Sequence, residues 1–437
     1  MADAQAATSR VQQLQNSIIA GNIPQLVMNA IAYAIEMRSS DIHIEPSKNT
    51  IRMRYRVDGV LRRVVEYPHN IHPAVVSRVK IMSNLKIDEQ RIPQDGRAHV
   101  TTEDNQEMDL RVSTLPTING EKIVMRIQSE SRNIPGLEEL GLEGSSFASL
   151  TKSLDLPNGI ILTTGPTGSG KTTTLYSALN ILNKPDVNIL TIEDPVEIQM
   201  DGLNQSQTHA EIEYTFANGL RTALRQDPDI IMVGEVRDKE TVNTAIEAAL
   251  TGHLVLSTIH TNSAVETITR ILNMGVPPFL LTATINTIIS QRLVRKLCQN
   301  CKQPIEVDPS TLTMVNEALQ TISPAAVGDV PPERVFYGPR GCEQCGNIGY
   351  QGRVGVYELM TMTNKLKRMI ISGANTLDMQ KIAMNEGMLT LEQSGIIKAL
   401  KGLTSLEEVY RVARHVQVET QVVTPQSNNP NSPNNVS

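Results

Sequence analysis

Apolar residues between positions 11 and 38 fall at helical spacing, with Leu26, Val27, Ala30, Ile31, Ala34 and Ile35 along one face. That spacing predicts a helix. The period then changes. Ile42 and Ile44 alternate with polar residues, and Ile51, Met53, Tyr55 and Val57 alternate with Arg52, Arg54 and Arg56. A period of two predicts strands with one buried face, and Asp58-Gly59 supplies a hairpin turn into Val60–Tyr67. Residues 73–85 read as a helix opened by Pro73. Met108, Leu110 and Val112 form another alternating run, as do Ile123, Met125 and Ile127. The pattern up to here predicts an α+β domain of about a hundred residues.

The alternation breaks near residues 129–142, where Ser, Asn, Pro and Gly gather, as in a linker. Beyond it, short apolar runs at Gly159–Thr163, Asn188–Ile192, Ile230–Val233 and Leu254–Thr258 alternate with helical stretches at 172–182, 214–225 and 239–250. This βαβ rhythm predicts an α/β domain with a parallel sheet wrapped by helices. An insertion bearing all the cysteines spans about 298–356, with the loop-rich stretch Ser323–Pro332 inside it. Helical patterns resume at 364–372, 376–385, 389–401 and 405–414. The Asn/Pro/Ser-rich end from Pro425 to Ser437 has the composition of a disordered tail.

Composition narrows the function classes. The 437 residues carry 40 Lys plus Arg against 46 Asp plus Glu, a formal net charge of −6, and aromatics make up 3 % with no Trp. A mildly acidic chain poor in aromatics is a weak candidate for nucleic-acid binding, so no nucleic-acid partner is expected. The first ten residues hold no apolar stretch, and nowhere do 18 consecutive apolar residues occur. Neither a secretory signal nor a transmembrane helix is predicted. The chain is expected to be cytoplasmic, reaching a membrane only through a partner.

The chemistry begins at Gly165-Pro166-Thr167-Gly168-Ser169-Gly170-Lys171-Thr172. It fits G-x-x-x-x-G-K-[ST] between a predicted strand and a predicted helix, the context that a phosphate-binding loop requires. Glycines let backbone N–H groups wrap a phosphate, and the helix N-terminus adds positive potential. Lys171 is expected to reach the β- and γ-phosphates of ATP, and the Thr172 hydroxyl to ligate Mg²⁺. The run Ile230-Ile-Met-Val-Gly-Glu235 is an apolar strand ending in an acid, with Gly234 where an Asp normally precedes the Glu. Glu235 is the candidate for orienting or deprotonating the attacking water. Glu193 and Asp194, ending another strand, are expected to compensate for the missing Asp, because strand ends in a parallel sheet face the ligand crevice. His253 precedes an apolar strand and His260 follows it. A lone His there is more often a structural hydrogen-bonder, although His260 at the strand's C-terminal end would face the γ-phosphate and could sense nucleotide state.

Cys298-Gln-Asn-Cys301 and Cys342-Glu-Gln-Cys345 use every cysteine. Two C-x-x-C pairs predict a structural Cys₄ zinc site in which Cys298, Cys301, Cys342 and Cys345 are the ligands. The redox reading is weaker because no thioredoxin-like context surrounds either pair.

Taken together, Gly165–Thr173, Thr191-Ile-Glu-Asp-Pro-Val-Glu197, Leu224–Glu235 and Thr251–Asn262 resemble the Walker A, Asp box, Walker B and His box of the type II/IV secretion ATPases. Ser40–Pro46, Arg54–Gly59 and Pro93–Arg97 are similar to that family's second N-terminal domain. The resemblance spans roughly residues 25–415 and is nearest to the type II secretion and pilus-extension branch. It implies a RecA-like P-loop NTPase domain preceded by a smaller α+β domain, with a Cys₄ insertion and C-terminal helices. The divisions expected are an N-terminal helical segment (1–24), the α+β domain (25–130), a linker (131–142), the RecA-like core (143–297), a tetracysteine subdomain (298–357), a helical region (358–415) and a disordered tail (416–437). Thr173 joins the residues implied to bind nucleotide.

The resemblance further implies that Arg111 and Arg126 are phosphate-binding arginines supplied by the N-terminal domain, and that Arg221 and Arg225, one turn apart, match two more arginines important in relatives. From the residues alone, a solvated polar face is the commoner fate of a strand arginine. Implied partners are further copies of the chain in a hexameric ring, a polytopic inner-membrane platform protein and a membrane-anchored recruiter. Relatives usually carry a further N-terminal domain for docking, whereas only a short helix is expected before the second domain here. The weighed alternatives are a pilus-retraction or competence motor, with the cysteine pairs counting against retraction, a DNA-translocating conjugation-type ATPase, which the acidic charge and scarce aromatics disfavour, and a non-catalytic nucleotide switch, which Glu235 opposes.

Overall fold

A computed structural model describes residues 2–102, 107–128, 134–413 and 420–421, with side chains described from Arg10. The expected tail at 416–437 and residues 131–133 of the expected linker lie outside them, apart from 420–421. Two compact units make up the chain. The first holds Met1–Ile134 with the short segments Glu197–Asp201 and Cys342–Asn347, and the second holds the remainder.

The first unit opens with α1 (Ala2–Ala20) and α2 (Ile23–Glu36). The sequence period predicts one helix where two are found. Gly21 takes the left-handed backbone (φ +63°) and the Asn22 side chain accepts the Gln25 N–H at 3.2 Å, ending one helix and capping the next. Strands β1 (Ser39–Pro46), β2 (Ile51–Val57) and β3 (Val60–Tyr67) follow, then α3 (His72–Met82), β4 (Gln94–Thr101), β5 (Glu107–Thr117) and β6 (Gly120–Gln128). Asp58 and Gly59 both have positive φ (49° and 83°), the backbone of a tight hairpin turn. The six strands form one sheet in the order β3-β2-β1-β6-β5-β4. Its apolar face, with Ile42, Ile44, Met53, Tyr55, Val112 and Met125, packs with Leu26, Ile31, Val75 and Val79 of the helices. The other face keeps the charged alternates.

The second unit carries α4 (Gly144–Leu154), β7 (Gly159–Thr164), α5 (Lys171–Leu182), β8 (Ile189–Glu193), β9 (Leu203–Gln207), α6 (Phe216–Ala223), β10 (Ile230–Val233), α7 (Lys239–Leu250), β11 (Leu254–Ile259), α8 (Ala264–Asn273), α9 (Pro278–Thr284) and β12 (Ile285–Leu297). It continues with β13 (Gln303–Val307), α10 (Pro309–Gln320), β14 (Phe336–Gly338), β15 (Tyr350–Thr361), α11 (Asn364–Ile371), α12 (Thr376–Asn385), α13 (Leu391–Leu400) and α14 (Leu406–Ala413). The large sheet runs β15-β12-β7-β11-β10-β8-β9. All neighbours are parallel except β15, which is antiparallel to β12. Every residue of β7, β10 and β11 is buried, as expected of parallel strands covered on both faces. The fold is therefore the mixed α/β arrangement that the sequence period implies. The unpredicted strand β12 continues for 13 residues after α9, and its pairing with β15 crosses the division expected at residue 357.

Candidate functional site

A parallel sheet brings the C-terminal ends of neighbouring strands to one edge, and that edge gathers most of the expected site residues. Thr164 closes β7 and pairs in register with Ile259 at the end of β11, while Val233 at the end of β10 pairs with Ser257. Strand neighbours lie about 4.8 Å apart, so the loops after β7, β10 and β11 adjoin.

The first of these loops is the glycine-rich one. Gly165 has φ +149°, and a Cβ there would lie 2.6 Å from the Gln291 carbonyl and 2.6 Å from Ser169 Oγ. Gly170 precedes α5 with φ +89°. Both positions therefore need glycine. Pro166, Thr167, Gly168 and Thr172 are exposed, Thr173 is half-buried and Ser169 is buried. The Lys171 ammonium donates to the carbonyls of Gly165 (3.0 Å) and Pro166 (3.2 Å). Burial lowers its pKa; Glu235 opposes that shift and Arg292 adds to it. An ammonium held this way lies inside the loop whose N–H groups would face a phosphate.

Glu235 follows β10. Its backbone neighbours are pinned on both sides, Gly234 N–H to the Ile192 carbonyl (2.8 Å) and Val236 N–H to the Thr258 carbonyl (2.8 Å). A Cβ at Gly234 would press on the Phe216 ring at 3.2 Å, a packing reason for glycine where an Asp is usual. The Glu235 carboxylate meets His260 Nε2 at 3.1 Å and pairs with Arg237. The bond from Glu235 raises the Arg237 pKa against the effect of burial, with Asp194 contributing a smaller charge effect. The site edge thus holds a carboxylate between a histidine and a guanidinium, with Lys171 within electrostatic reach.

The remaining expected residues are placed as follows. Glu193 is buried, and its carboxylate accepts from Tyr176 Oη (2.5 Å), Thr191 Oγ1 (2.6 Å) and Gln205 Nε2 (3.1 Å); those bonds make it a cross-brace between α5, β8 and β9. Asp194, next in the chain, is exposed. Arg221 pairs with Glu240 at 2.7 Å, and Arg225 donates to the Arg221 carbonyl at 3.2 Å. His253 bonds the Ala248 carbonyl (2.9 Å) and Thr251 Oγ1 (3.1 Å). It closes the end of α7 at the start of β11, opposite the end where His260 lies.

Arg111 and Arg126 belong to the first unit. Strand register sets Arg97 opposite Arg111, Arg111 opposite Arg126, and Arg126 opposite Asp41. Directly opposed residues share a face, and three opposed guanidiniums repel one another unless an anion joins them. Asp41 accepts from Arg126 Nε at 2.9 Å and pairs with Arg56 at 3.3 Å. Burial alone would raise the Asp41 pKa, but the bonds from Arg126 and Ser40 and the two arginine charges hold it below its ordinary value.

The four cysteines converge. The last register pair of the β12/β15 ladder is Leu297 with Tyr350, and Cys298 N–H donates to the Gly349 carbonyl at 2.9 Å. Each C-x-x-C turn therefore hangs from one end of that ladder. The four sulfurs lie within 4.8 Å of one another, and three of the residues are buried. Cys342 Sγ and Cys345 Sγ are 3.8 Å apart, about the edge of a tetrahedron with 2.3 Å metal–sulfur bonds. The donor set fits a structural zinc ion.

Three further residues here go unnoticed in the sequence reading. Gln291 Nε2 donates to the Ser169 carbonyl (2.7 Å), and Arg292 donates to the carbonyls of Gln291 and Asn262, both at 3.0 Å. Arg237, two residues after Glu235, could have been found from its spacing; the β12 residues could not.

Known proteins resemble most of the chain. Residues 18–411 match the family model described as Type II/IV secretion system protein. The type IV pilus assembly ATPase PilB of Myxococcus xanthus is 45 % identical over 407 residues, covering 92 % of this chain and 70 % of that protein. Type II secretion system protein E of Pseudomonas aeruginosa is 44 % identical over 392 residues, covering 90 % and 76 %. Among solved structures, the pilus retraction motor PilT with bound ADP superposes with a TM-score of 0.56 at 27 % identity, covering 88 % of this chain and 96 % of that one. The Legionella pneumophila ATPase DotB gives a TM-score of 0.63 at 20 % identity, covering 88 % and 94 %, a likeness of fold alone.

Proposed function

Because the chain belongs to the type II/IV secretion system protein family, we propose that it is the ATP-hydrolysing motor of a type IV pilus assembly or type II secretion machine. The observation that carries this reading is the convergence at one sheet edge of the glycine-rich loop, Lys171 and the Glu235–His260 pair. In this reading Gly165–Thr173 bind the phosphates of ATP, with Lys171 on the β- and γ-phosphates and Thr172 as a Mg²⁺ ligand. Magnesium supplies charge neutralisation when bound. Glu235 takes up or orients the proton of the attacking water, and His260 holds the carboxylate and senses the nucleotide through it. Glu193 braces the strand that presents Asp194, which is left as the exposed acid beside Arg237.

Arg111 and Arg126 act as phosphate-binding arginines. The opposed row Arg97, Arg111 and Arg126 supports this, since an anion relieves its repulsion. Arg111→Ala or Arg126→Ala is expected to lower turnover by on the order of 10³-fold, the lower end of an arginine finger's effect, while changing nucleotide affinity much less. Steady-state phosphate release beside fluorescent-nucleotide titration measures both; unchanged turnover would return these residues to a solvated face.

The motor works as a homohexameric ring on a polytopic inner-membrane platform protein, with a membrane-anchored recruiter as a further partner. No helix among the described residues is long and apolar enough to cross a membrane, so the membrane is reached through those partners from the cytoplasmic side. The purified chain is expected to release phosphate from ATP with Mg²⁺ and to stop when EDTA removes it. Hydrolysis indifferent to EDTA would exclude the metal's role, and no hydrolysis in the assembled ring would exclude the motor.

A further inference from the structure

Glu358 lies inside the second unit, 5 % exposed, on β15 opposite Ser290 of β12. A carboxylate there needs donors, because an unpaired buried charge is costly. The N–H groups that favour its charge come from two helices. Oε1 accepts the Ala264 N–H at 2.7 Å, the Leu391 N–H favours the charged carboxylate, and the neighbouring Tyr357 N–H donates to Ser394 Oγ of α13 at 3.1 Å. Ala264 opens α8 after its cap Ser263, and Leu391 opens α13 after its cap Thr390. One side chain thus joins the positive ends of two helix dipoles.

The two helices lead to different places. The loop before α8 carries His260 at the Glu235 carboxylate and is held by Thr164 Oγ1 (2.9 Å to Thr261 N), Ser290 Oγ (3.2 Å to the Asn262 carbonyl) and Arg292. From α13, Lys398 donates to the Gly141 carbonyl at 2.5 Å and Lys401 pairs with Glu143 at 2.6 Å. The same segment is also fixed by Gly355 N–H on the Leu140 carbonyl (2.9 Å) and Ser177 Oγ on the Pro135 carbonyl (2.7 Å). Residues 135–143 are therefore tied to α13, and α13 is tied through Glu358 to the loop that carries His260.

We propose that Glu358 is a positioning residue that couples the His260 loop to helix α13, and through α13 to the segment entering the motor unit at Pro135–Glu143. A change in the His260 loop moves the Ala264 N–H, and the shared carboxylate passes the displacement to the first turn of α13. The groups facing the carboxylate are Arg292 from β12 and Glu266 from α8, with the backbone N–H groups of Ala264 and Leu391. Burial pushes the Glu358 carboxyl up to about 7, against the pull of those N–H groups and of Arg292. The ionised form accepts the Ala264 N–H and attracts the Leu391 N–H more strongly than the neutral acid does, so coupling weakens on acidification.

The inference rests on the nucleotide-site reading above, and the test separates the two. Hydrogen exchange on the full chain, with and without a non-hydrolysable ATP analogue, is followed at residues 260–266 and 389–396. Nucleotide is expected to slow exchange in both segments of the wild type and only in the first of Glu358→Gln. Turnover of that variant is expected to fall about tenfold, the size of an ordinary coupling, with KM within about twofold, and to lose the wild-type decline below pH 7. A variant matching wild type in exchange, turnover and pH profile overturns the proposal. If the variant does not fold, an α13 segment that ignores nucleotide in wild type overturns it alone. Glu235→Gln serves as the control: turnover by that variant defeats the nucleotide-site reading, while the exchange data still judge Glu358.

Discussion

Glu235→Gln is expected to bind ATP with an affinity within about threefold of wild type and to hydrolyse it roughly 10²- to 10⁴-fold more slowly, the range for a lost general base or water-orienting acid. The two side chains have the same shape, so the pinned backbone around Gly234 and Val236 should hold the amide where the carboxylate stands. The negative charge disappears, and with it the ability to accept a proton between His260 and Arg237. Lys171→Ala should differ in kind. It removes the buried ammonium from the loop, so binding and turnover should fall together. Phosphate-release assays paired with fluorescent-nucleotide titration separate these outcomes. A Glu235→Gln variant that hydrolyses ATP normally would remove Glu235 from the chemistry, and a Lys171→Ala variant with intact affinity would do the same for the loop.

The purified chain is also expected to contain about one zinc ion, because four convergent thiolates make a closed tetrahedral set. The 3.8 Å between Cys342 and Cys345 exceeds a disulfide bond of about 2.05 Å and suits two ligands on one ion. Cys345 is buried, so Cys345→Ser should lose the metal and leave its partners crowded. Structural zinc contributes roughly 10 kcal/mol or more of apparent binding free energy in small domains, so a chelator should lower the melting temperature of the chain by many degrees. Elemental analysis and calorimetry with and without chelator provide the measurement. A stably folded chain that contains no metal and melts unchanged would end the zinc reading.

What was legible in the chain depended on how local each signal was. The glycine-rich loop could be read directly, because glycines at Gly165 and Gly170 and the flanking strand and helix all lie within a short stretch. The strand ending at Glu235 was legible for the same reason. Helix α10 and strands β4 and β9 were missed. Ala98 and Val100 are the buried positions of β4, and β9 is a polar strand at the sheet edge, so neither shows a full alternation. The break between α1 and α2 turns on one glycine and one cap, which the apolar period overran. Among site residues, Glu193 looked free to serve a metal because its partners Tyr176 and Gln205 lie on other elements. Glu358 and Arg292 acquire their surroundings only when β12 and β15 pair. Tertiary register made those positions, and no local pattern announces it.

That pairing has a consequence for synthesis. The large sheet is completed by a strand that ends at Thr361, far downstream of β12. Until the ribosome has released that stretch, β12 presents a long unsatisfied edge bearing Ile288, Ile289, Val294 and Leu297, all buried in the finished fold. Open apolar edges recruit other strands, and nascent chains with such edges aggregate. Co-translational assembly of this domain is therefore incomplete at β12, and any shortened version that stops before Thr361 inherits the exposed edge as an insolubility hazard.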